Sequence, residues 1–478
     1  MRKILIGLAA FLAVIVVGLV VAVMVVDLNE YKQPLEASIK DASGYDTRIE
    51  GDITLSLTPV GVSVGKIHLS QEGNAMSVGE FAIALEVLPL LSKEIKVSYL
   101  TLKDVDVNIQ KDENSKPSAQ APSAPKDPTA QGQTPPVEVA RVNVENANIS
   151  YVDTQTSTRA TVENLNMTLT AITYDSTKKG AGALSLDAKG SIKKASYEAY
   201  SLHNIDVAGS LKEGFVNISQ MDYTLFDSRA KGSATVDLNL AAPKVSLKEH
   251  VPQLKLANFS KEILGNDLLE GVLDMQMDLD FIAGTQKQVR QSLKGTVVFE
   301  GKSMGIKGYD VDKILSGYEG TQNVGLMDVG SFLVAGPLGF MLSSSAKGAK
   351  AYEGMKGGTT AINHLHVKVP LGKGIATLED VAMSTGKNLV ATKGEIDMVN
   401  ERFLGVSFGI LEKNGCAKYE QEIEGALSKP SIKVTQTTLN TVVNMASSLF
   451  GKVTDVARVP KNKGACQPFY EGKVVHPL

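Results

Sequence analysis

The residues best suited to metal chemistry are His364 and His366, which alternate along a segment of strand-like hydropathy. Alternate residues of a strand point to the same face, so the two imidazoles would lie side by side. A zinc-type site needs three or four ligands, and the nearby sequence supplies no cysteine or carboxylate to complete one. We therefore predict two exposed strand histidines and no bound metal.

Motifs of catalysis and cofactor binding are missing from the sequence. It contains no GxxxxGK[ST] loop of the kind that cradles nucleotide phosphates. The GxSxG pattern occurs at 61–65 and 301–305, but both matches fall within strand-like segments and not at the strand-to-helix turn that presents a catalytic serine. Its many Gly-x-Gly fragments fall at expected turns, where glycine tolerates a positive φ. We predict no catalytic residue, no cofactor and no enzymatic activity.

The most distinctive chemistry is the capacity of alternating strands to shelter apolar molecules. Each CH₂ group kept from water contributes about 0.8 kcal/mol, so a lipid with two tails of ~16 carbons would lose roughly 25 kcal/mol on crossing an aqueous gap. The apolar faces could pack against a second sheet as a sandwich, or form a trough for acyl chains. Composition alone leaves both solutions open. The candidate lipid-contacting residues are Leu273, Met275, Met277, Leu279, Phe281, Leu365, Val367 and Val369.

Charge and composition narrow the possible functions. The 49 Lys and Arg residues nearly balance the 52 Asp and Glu residues, for a net charge of −3, which argues against a nucleic-acid partner. The sequence has no Trp and only 5% aromatic residues, although 43% of its residues are hydrophobic. Such an aliphatic composition favours repetitive β-structure over dense globular domains, whose cores rely on aromatic burial.

The N-terminus predicts a membrane anchor. Arg2 and Lys3 precede an apolar run from Ile4 to Val26, which as a helix would be roughly 35 Å long and would cross a hydrocarbon core of about 30 Å. A cleavable leader, the alternative, has a shorter apolar stretch and a small-residue cleavage site. The basic pair stays cytoplasmic under the positive-inside rule, so the rest of the chain is expected to be exported.

Behind the anchor, the hydropathy period divides the chain into segments. A helical period between Leu28 and Ile39, closed by Gly44, predicts a short helix at the membrane face. From Thr47 onward a period of two predicts strands with one apolar face. Helical patterns recur at 248–269, 310–320 and 438–457, the last of them amphipathic. The predicted segments are the anchor (1–26), an N-terminal β segment (27–110), a linker (111–136), a central β region (137–290) and a C-terminal module (291–478).

Two segments interrupt the strand pattern. Residues 111–136 contain six prolines and no large hydrophobic residue, which predicts a flexible linker or a long excursion from the sheet. Residues 324–355 are apolar and glycine-rich, with Pro337 near the middle. For these we favour a hairpin that caps the sheet, and reversible contact with a membrane or partner and a second membrane span remain alternatives.

Two weak internal repeats are present. Apolar residues of 97–109 match those of 139–151 at a constant offset of 42, and the segment 214–225 resembles 374–385. Repetition of a strand-turn-strand unit indicates stacked units, with chance similarity between alternating segments as the alternative.

The two cysteines, Cys416 and Cys466, lie in the part of the chain that is expected to be exported. An oxidising compartment favours a disulfide between them over two free thiols. A closed loop of about 50 residues would contribute roughly 4 kcal/mol of stability in the chain-entropy description.

Several stretches resemble the AsmA family. They are GYDTRIEGDITLSLTPVGVSVGKIHLS (44–70), LEVLPLLSKEIKVSYLTLKDVDVNI (85–109), LKGTVVFEGKSMGIKGYDVDKIL (293–315), ATLEDVAMSTGKNLVATKGEIDMVNERF (376–403) and CQPFYEGKVVHP (466–477). The resemblance covers roughly residues 1–110 and 290–478 and rests on loosely spaced positions, because the family has no small catalytic motif.

The resemblance implies a single-pass inner-membrane protein whose bulk lies in the periplasm of a Gram-negative cell. AsmA-like proteins resemble bridge-like lipid transfer proteins, so an elongated, curved, mostly antiparallel β-groove is expected. The implied function is phospholipid transport toward the outer membrane, with a possible protein partner at the far end. The alternative is a scaffold or regulator of outer-membrane protein assembly that moves no lipid.

Overall fold

The computed structural model describes residues 28–57, 60–71, 73–86, 96–111, 138–175, 177–178, 180–198, 200–263, 265–308, 310–313, 357–434 and 466–478. Within these ranges the protein is mainly β, with long, mostly antiparallel strands and few helices, which confirms the predicted class. The chain divides into two compact units, residues 1–223 and residues 224–478. The finer segment boundaries suggested by hydropathy stay a prediction.

A short helix precedes the first strand, as the spacing predicts. A 3₁₀ turn, Leu28–Tyr31, leads directly into α1, Lys32–Ser43. The helix ends at Gly44, whose φ of 78° lets its N–H donate to the Lys40 carbonyl. Glycine adopts this left-handed conformation without a steric penalty, so the helix ends there and the chain turns into the sheet.

The strands of unit 1 pair mostly in chain order. They are β1 (Asp46–Ile49), β2 (Ile53–Leu57), β3 (Val60–Gln71), β4 (Asn74–Leu85), β5 (Lys96–Lys111), β6 (Glu138–Val139), β7 (Arg141–Asp153), β8 (Thr158–Tyr174), β9 (Leu184–Tyr197) and β10 (Tyr200–Lys212), with a 3₁₀ turn at Gly180–Ala183. Both β1 and β2 pair with β3, and the antiparallel order continues through β4 and β5 and then from β7 to β10. The strand β11 (Phe215–Leu225) contains the boundary between the units.

The 42-residue repeat becomes a pair of adjacent strands. β5 pairs in parallel with β6 and β7, and each paired residue of β5 lies opposite the residue 42 positions later, from Lys96 opposite Glu138 to Lys111 opposite Asp153. Apolar side chains therefore lie beside apolar ones, and polar side chains lie beside polar ones. Polar ones bond across the pair, since Lys111 Nζ lies 2.9 Å from Asp153 Oδ2.

The parallel pairing of β5 with β6 and β7 requires a crossover connection. Parallel strands need a crossover of a dozen or more residues, because the chain must return to the end at which the first strand began. β5 has 16 residues, so the return distance is roughly 50 Å. Residues 112–137, which join the two strands in sequence, lie outside the described residues.

A row of kinks crosses the sheet of unit 1. Residues with positive φ occupy corresponding positions in β3, β5, β7, β8 and β10, flanked by paired residues on either side. Asn and Asp tolerate this left-handed conformation better than other non-glycine residues. Each such residue interrupts the extended backbone, so the strands change direction along one line. The kink row consists of Lys66, Asp104, Asn146, Asn164 and Asn204.

Unit 2 is also built from antiparallel strands in chain order. They are β12 (Ser228–Asp237), β13 (Lys244–Lys255), β14 (Leu269–Glu270), β15 (Val272–Ile282), β16 (Lys294–Lys307), β17 (Thr359–Gly372), β18 (Ile375–Ser384), β19 (Leu389–Asp397), β20 (Arg402–Leu411), β21 (Ala417–Ala426) and β22 (Lys429–Val434). β15 pairs with β13 and β16, and each later strand pairs with its neighbour in sequence. Two short helices are α2 (Leu256–Ile263) and α3 (Gln286–Ser292).

The helix predicted over 248–269 is wrong over its first part. Lys248 to Lys255 belong to strand β13, and only Leu256–Ile263 is helical. β13 is hydrogen-bonded on one side to β12 and on the other to β15. Two complete ladders outweigh the weak local preference for a helix.

The second repeat corresponds to the same hairpin turn in each unit. Glu213 and Gly214 have φ of 51° and 80°, and Lys373 and Gly374 have φ of 53° and 78°. Two consecutive positive φ values are typical of the tight turn that joins adjacent antiparallel strands.

No helix within the described ranges is long and apolar enough to cross a membrane. The predicted anchor 1–26, the segment 324–355 and the helix 438–457 lie outside those ranges, as do residues 112–136 of the linker and most of the helical pattern at 310–320.

The C-terminal tail, residues 466–478, is tied to unit 2 by the predicted disulfide between Cys416 and Cys466. Phe469 and Val474 pack against a cluster formed by Ala382, Leu389, Ala391 and Leu411 on β18, β19 and β20. The Phe469 N–H donates to the Gly415 carbonyl over 2.8 Å, next to Cys416. Covalent and apolar contacts therefore hold the tail on one face of the sheet.

We expect the double variant Cys416→Ser, Cys466→Ser to lower the free energy of unfolding of unit 2 by about 4 kcal/mol, because the 50-residue closure no longer restricts the unfolded chain. Urea unfolding of the purified protein followed by circular dichroism measures the change. Wild-type protein treated with a reductant is the control and should shift equally. An unchanged urea midpoint would show that the disulfide does not stabilise the unit.

Candidate functional site

The candidate lipid-contacting residues on β15 all point to one face of unit 2. Along the strand, exposed Asp274, Gln276 and Asp278 alternate with the less exposed apolar residues. The apolar set therefore lies on one face of the strand, as the alternation predicts. Its members are Leu273, Met275, Met277, Leu279 and Phe281.

The register places the β15 and β17 candidates on the same face. Met275 lies opposite Phe299 of β16, and Phe299 lies opposite Val367 of β17. In the next row, Met277 and Val369 flank Val297 in the same way. Two sets that are about 90 residues apart in sequence therefore form one surface, with a single strand between them.

The full surface is wider than the sequence prediction. Apolar residues on this face extend from β12 to β20, interrupted by Glu249 opposite Met277 and by Thr392 between Val381 and Phe408, and we call them the C-terminal apolar face. Residues beyond the predicted set include Ala234, Val236, Val245, Leu247, Val251, Val297, Phe299, Leu371, Val381, Met383, Val390, Phe408 and Ile410. Val297 and Val298 are consecutive valines, so alternation in β16 is hidden, and only the pairing reveals which one belongs to this face.

Exposure divides the predicted residues into two groups. Leu273, Leu365 and Val367 are buried, with 3–5% of their surface exposed. The other five, which include Met277 and Val369, keep part of their surface exposed. Four of the five β15 positions are therefore partly accessible and Leu273 is not, and contact with lipid stays a prediction for the whole set.

Unit 1 carries an equivalent surface that the sequence analysis did not single out, the N-terminal apolar face. Four rows of paired apolar residues cross β3, β4, β5, β7, β8, β9 and β10. Their members are Val62, Val64, Ile67, Leu69, Met76, Val78, Phe81, Ile83, Leu100, Leu102, Val105, Val107, Val142, Val144, Ala147, Ile149, Val162, Leu165, Met167, Leu169, Ala188, Ile192, Ala195, Leu202, Ile205 and Val207. A minority of them, such as Val78 and Ala147, are fully buried.

The kink row keeps these residues on one face. Along β5 the apolar residues Leu102 and Val105 are three positions apart, which in a regular strand would put them on opposite faces. Asp104 has a φ of 50° between them and absorbs the extra residue. The same three-residue step brackets the kink in β3, β7, β8 and β10. That step in an otherwise alternating pattern is the sequence signal for the kink.

The prediction of two exposed histidines is wrong, because His364 is only partly exposed and His366 is buried. His366 has 1% of its surface exposed, and its Nδ1 lies 3.1 Å from Glu300 Oε2 on β16. On the other side of the ring, Nε2 lies 3.6 Å from Asp380 Oδ2 of β18. These carboxylates are 66 and 14 positions away in sequence, so local inspection could not find them. Among the described residues, no three metal-binding side chains are arranged to hold an ion.

The tail covers the histidines on the face opposite the C-terminal apolar face. Tyr470 donates from its hydroxyl to Asp380 Oδ1 over 2.6 Å and accepts the Val474 N–H over 3.0 Å. Burial together with the hydrogen bond to Asp380 raises the pKa of the Tyr470 phenol, so it stays protonated. Lys473 Nζ lies 3.4 Å from Glu300 Oε2. We call Glu300, His366, Asp380, Tyr470 and Lys473 the clasp, because the contacts between these side chains hold the tail on the sheet.

Glu300 is the charged centre of this clasp. Burial opposes its ionisation, but the hydrogen bond with His364 and the charge of Lys473 outweigh that effect and lower the pKa of the carboxyl below its ordinary value. A lowered pKa means that the charged form stabilises the folded protein above the pKa of the unfolded chain. This contribution is lost as the pH falls through the folded value.

We expect Glu300→Gln to destabilise the protein at pH 7 by up to roughly 1 kcal/mol, as for other partly exposed ion pairs. The difference from wild type should narrow as the pH falls below about 4.3, where the carboxyl of the unfolded chain takes up a proton, and should be lost as the pH falls through the lowered pKa of the folded protein. Urea midpoints of both proteins at pH 7 and pH 4 measure it. A difference that stays the same at both values would contradict the electrostatic role of Glu300.

Comparison with known proteins agrees with the N-terminal architecture. The AsmA family model matches residues 1–205. Protein AsmA of Escherichia coli (strain K12) is 26% identical over 133 residues, which cover 27% of this chain and 22% of that protein. The match thus spans less than a quarter of that relative's length, and no solved structure matches significantly. The resemblance of residues 290–478 stays a prediction. Over its first 205 residues, the chain is therefore similar to the AsmA family.

Proposed function

We propose that this protein shelters phospholipid tails on its apolar sheet faces and transfers them from the inner membrane toward the outer membrane. The observation that carries the proposal is the N-terminal apolar face, a set of aliphatic rows that runs without interruption across adjacent strands and stays partly exposed. The similarity of residues 1–205 to the AsmA family suggests envelope biogenesis or a lipid-related role, which supports the proposal.

The dimensions of the face suit an acyl chain. From Leu100 to Val107 the face extends roughly 23 Å along β5. The tails of one leaflet occupy about 15 Å, half of a hydrocarbon core of ~30 Å. A tail lying along the strands would be covered on one side over its whole length. Each sheltered CH₂ retains about 0.8 kcal/mol that exposure to water would remove.

The opposite face of the same strands is polar and suits solvent. Asn146 Nδ2 donates to Asp104 Oδ1 over 2.6 Å, and Asn164 Nδ2 donates to Asn146 Oδ1 over 2.9 Å. These bonds connect three members of the kink row across adjacent strands. A sheet that bends along such a line has a concave side, and we propose that the apolar face lines it. The finer fold prediction, a curved groove, depends on this step.

The proposal includes a single-pass inner-membrane anchor at residues 1–26 and a periplasmic location for the remainder. It needs no catalytic step and no cofactor, because sequestration alone removes the barrier to transfer. A protein partner at the distal end remains part of the proposal. A scaffold for outer-membrane protein assembly is the alternative, and the experiment below distinguishes the two.

We expect a photo-crosslinking amino acid at Met277 to capture phospholipid in cells, because this side chain is partly exposed on the apolar face. The matched control is Gln276, which is adjacent in sequence and exposed on the opposite face. Mass spectrometry of the purified adducts gives the result. Lipid captured at position 277 but not at 276 supports the conduit. A protein adduct at 277 without lipid would favour the scaffold.

We expect Leu279→Glu to reduce lipid capture at position 275 several-fold, since a carboxylate on the apolar face obstructs the path of the tails. Leu279 lies between Leu247 and Gly295 on the neighbouring strands, so the charge has no local cation to pair with among its direct cross-strand partners. Gln276→Glu places the same charge on the outer face and should leave capture unchanged. Equal capture in all three proteins would contradict transport along this face.

A further inference from the structure

An open cleft lies at the start of the N-terminal apolar face. It has a volume of about 380 Å³ and is bounded by the N-terminal helical segment on one side and by β2 and β3 on the other. The volume falls within the range of small-molecule sites, roughly 300–1,000 Å³. The lining consists of Leu28, Tyr31, Pro34, Leu35 and Ser38 from the helical segment with Ile53 and Val62 from the sheet.

Polar contacts hold the helical segment against the edge of the sheet. Asn29 Oδ1 accepts the Ile53 N–H over 3.1 Å, and Glu36 Oε1 accepts the Ile49 N–H over 2.6 Å. Lys32 Nζ adds an ion pair with Asp52 at 3.7 Å. These contacts position the segment without filling the space beneath it.

Apolar packing between this segment and the sheet is incomplete. Residues 32–41 of α1 include no fully buried side chain. Tyr31 and Leu35, which line the cleft, have 56% and 39% of their surface exposed. Large apolar side chains that remain exposed around a concavity indicate a surface that another apolar group covers.

The cleft is continuous with the N-terminal apolar face. Val62 in its wall lies opposite Ile83 of β4, which lies opposite Leu100 of β5. Leu28 packs against the apolar cluster of the same face. In the sequence, Leu28 follows the predicted anchor by a single residue, Asp27. The cleft therefore borders the first row of the apolar face, and Leu28 in its lining is close in sequence to the segment expected in the bilayer.

We propose that this cleft binds one acyl chain of a membrane phospholipid and delivers it to the first row of the N-terminal apolar face. The inference deepens the proposed function, because it names the site at which lipid is loaded. Apart from Ser38 and the Tyr31 hydroxyl, the lining offers no polar side chain, so the cleft selects for the hydrocarbon tail and leaves the headgroup outside.

The test compares two tryptophan variants of the full-length protein in cells. Ser38→Trp fills the cleft, and Gln33→Trp places the same side chain on the opposite side of α1 as the control. A photo-crosslinker at Met277 reports lipid that has passed along the protein, and a second one at Leu35 reports lipid in the cleft. Circular dichroism and the amount of each protein in the membrane fraction check that the variants fold.

We expect lipid capture at Leu35 in the wild type, and several-fold lower capture at Met277 in Ser38→Trp but not in Gln33→Trp. Capture at Met277 that is unaffected by Ser38→Trp would overturn the loading site while leaving the proposed function intact, whether or not Leu35 captures lipid. Absence of lipid at Met277 in the wild type would overturn the proposed function and this inference with it.

Discussion

Strand register is the constraint on which the rest of this structure depends. A strand directs alternate side chains to opposite faces, so a slip of one residue would exchange the apolar and polar faces of that strand. In unit 1 the rows remain apolar across seven strands, for example from Val64 through Phe81 and Leu102 to Val144. Correct pairing therefore creates the one feature that the proposed function needs.

The kinks keep the apolar residues on one face at the point where the alternation of apolar and polar residues shifts by one position. Without Asp104 in a left-handed conformation, the residues of β5 on either side of it would point to opposite faces. Corresponding residues of four further strands adopt the same conformation. These strands therefore shift their alternation at the same level, and the residues on either side of the kinks stay paired. The side-chain bonds between Asp104, Asn146 and Asn164 connect these positions across adjacent strands.

The sequence predicted the strand class, the short N-terminal helix ending at Gly44 and the disulfide, because each depends on local pattern or on a simple count. It did not predict the surroundings of His366, since Glu300 and Asp380 reach it only through pairing of β17 with β16 and β18. It also assigned residues 248–255 to a helix, because the two ladders that make β13 a strand come from distant segments. The candidate residues on β15 were placed on one face correctly, whereas their continuation through Val297 and Phe299 needed the register.

The parallel pair formed by β5 and β7 suggests how such a protein changes its reach. Residues 42 positions apart are neighbours in space, so a duplicated segment of this length adds a strand whose apolar and polar positions already agree with those beside it. Each addition would lengthen the surface by about 4.8 Å without redesign of the existing strands. Proteins of this architecture could thus be fitted to compartments of different width by duplicating one strand and its return segment.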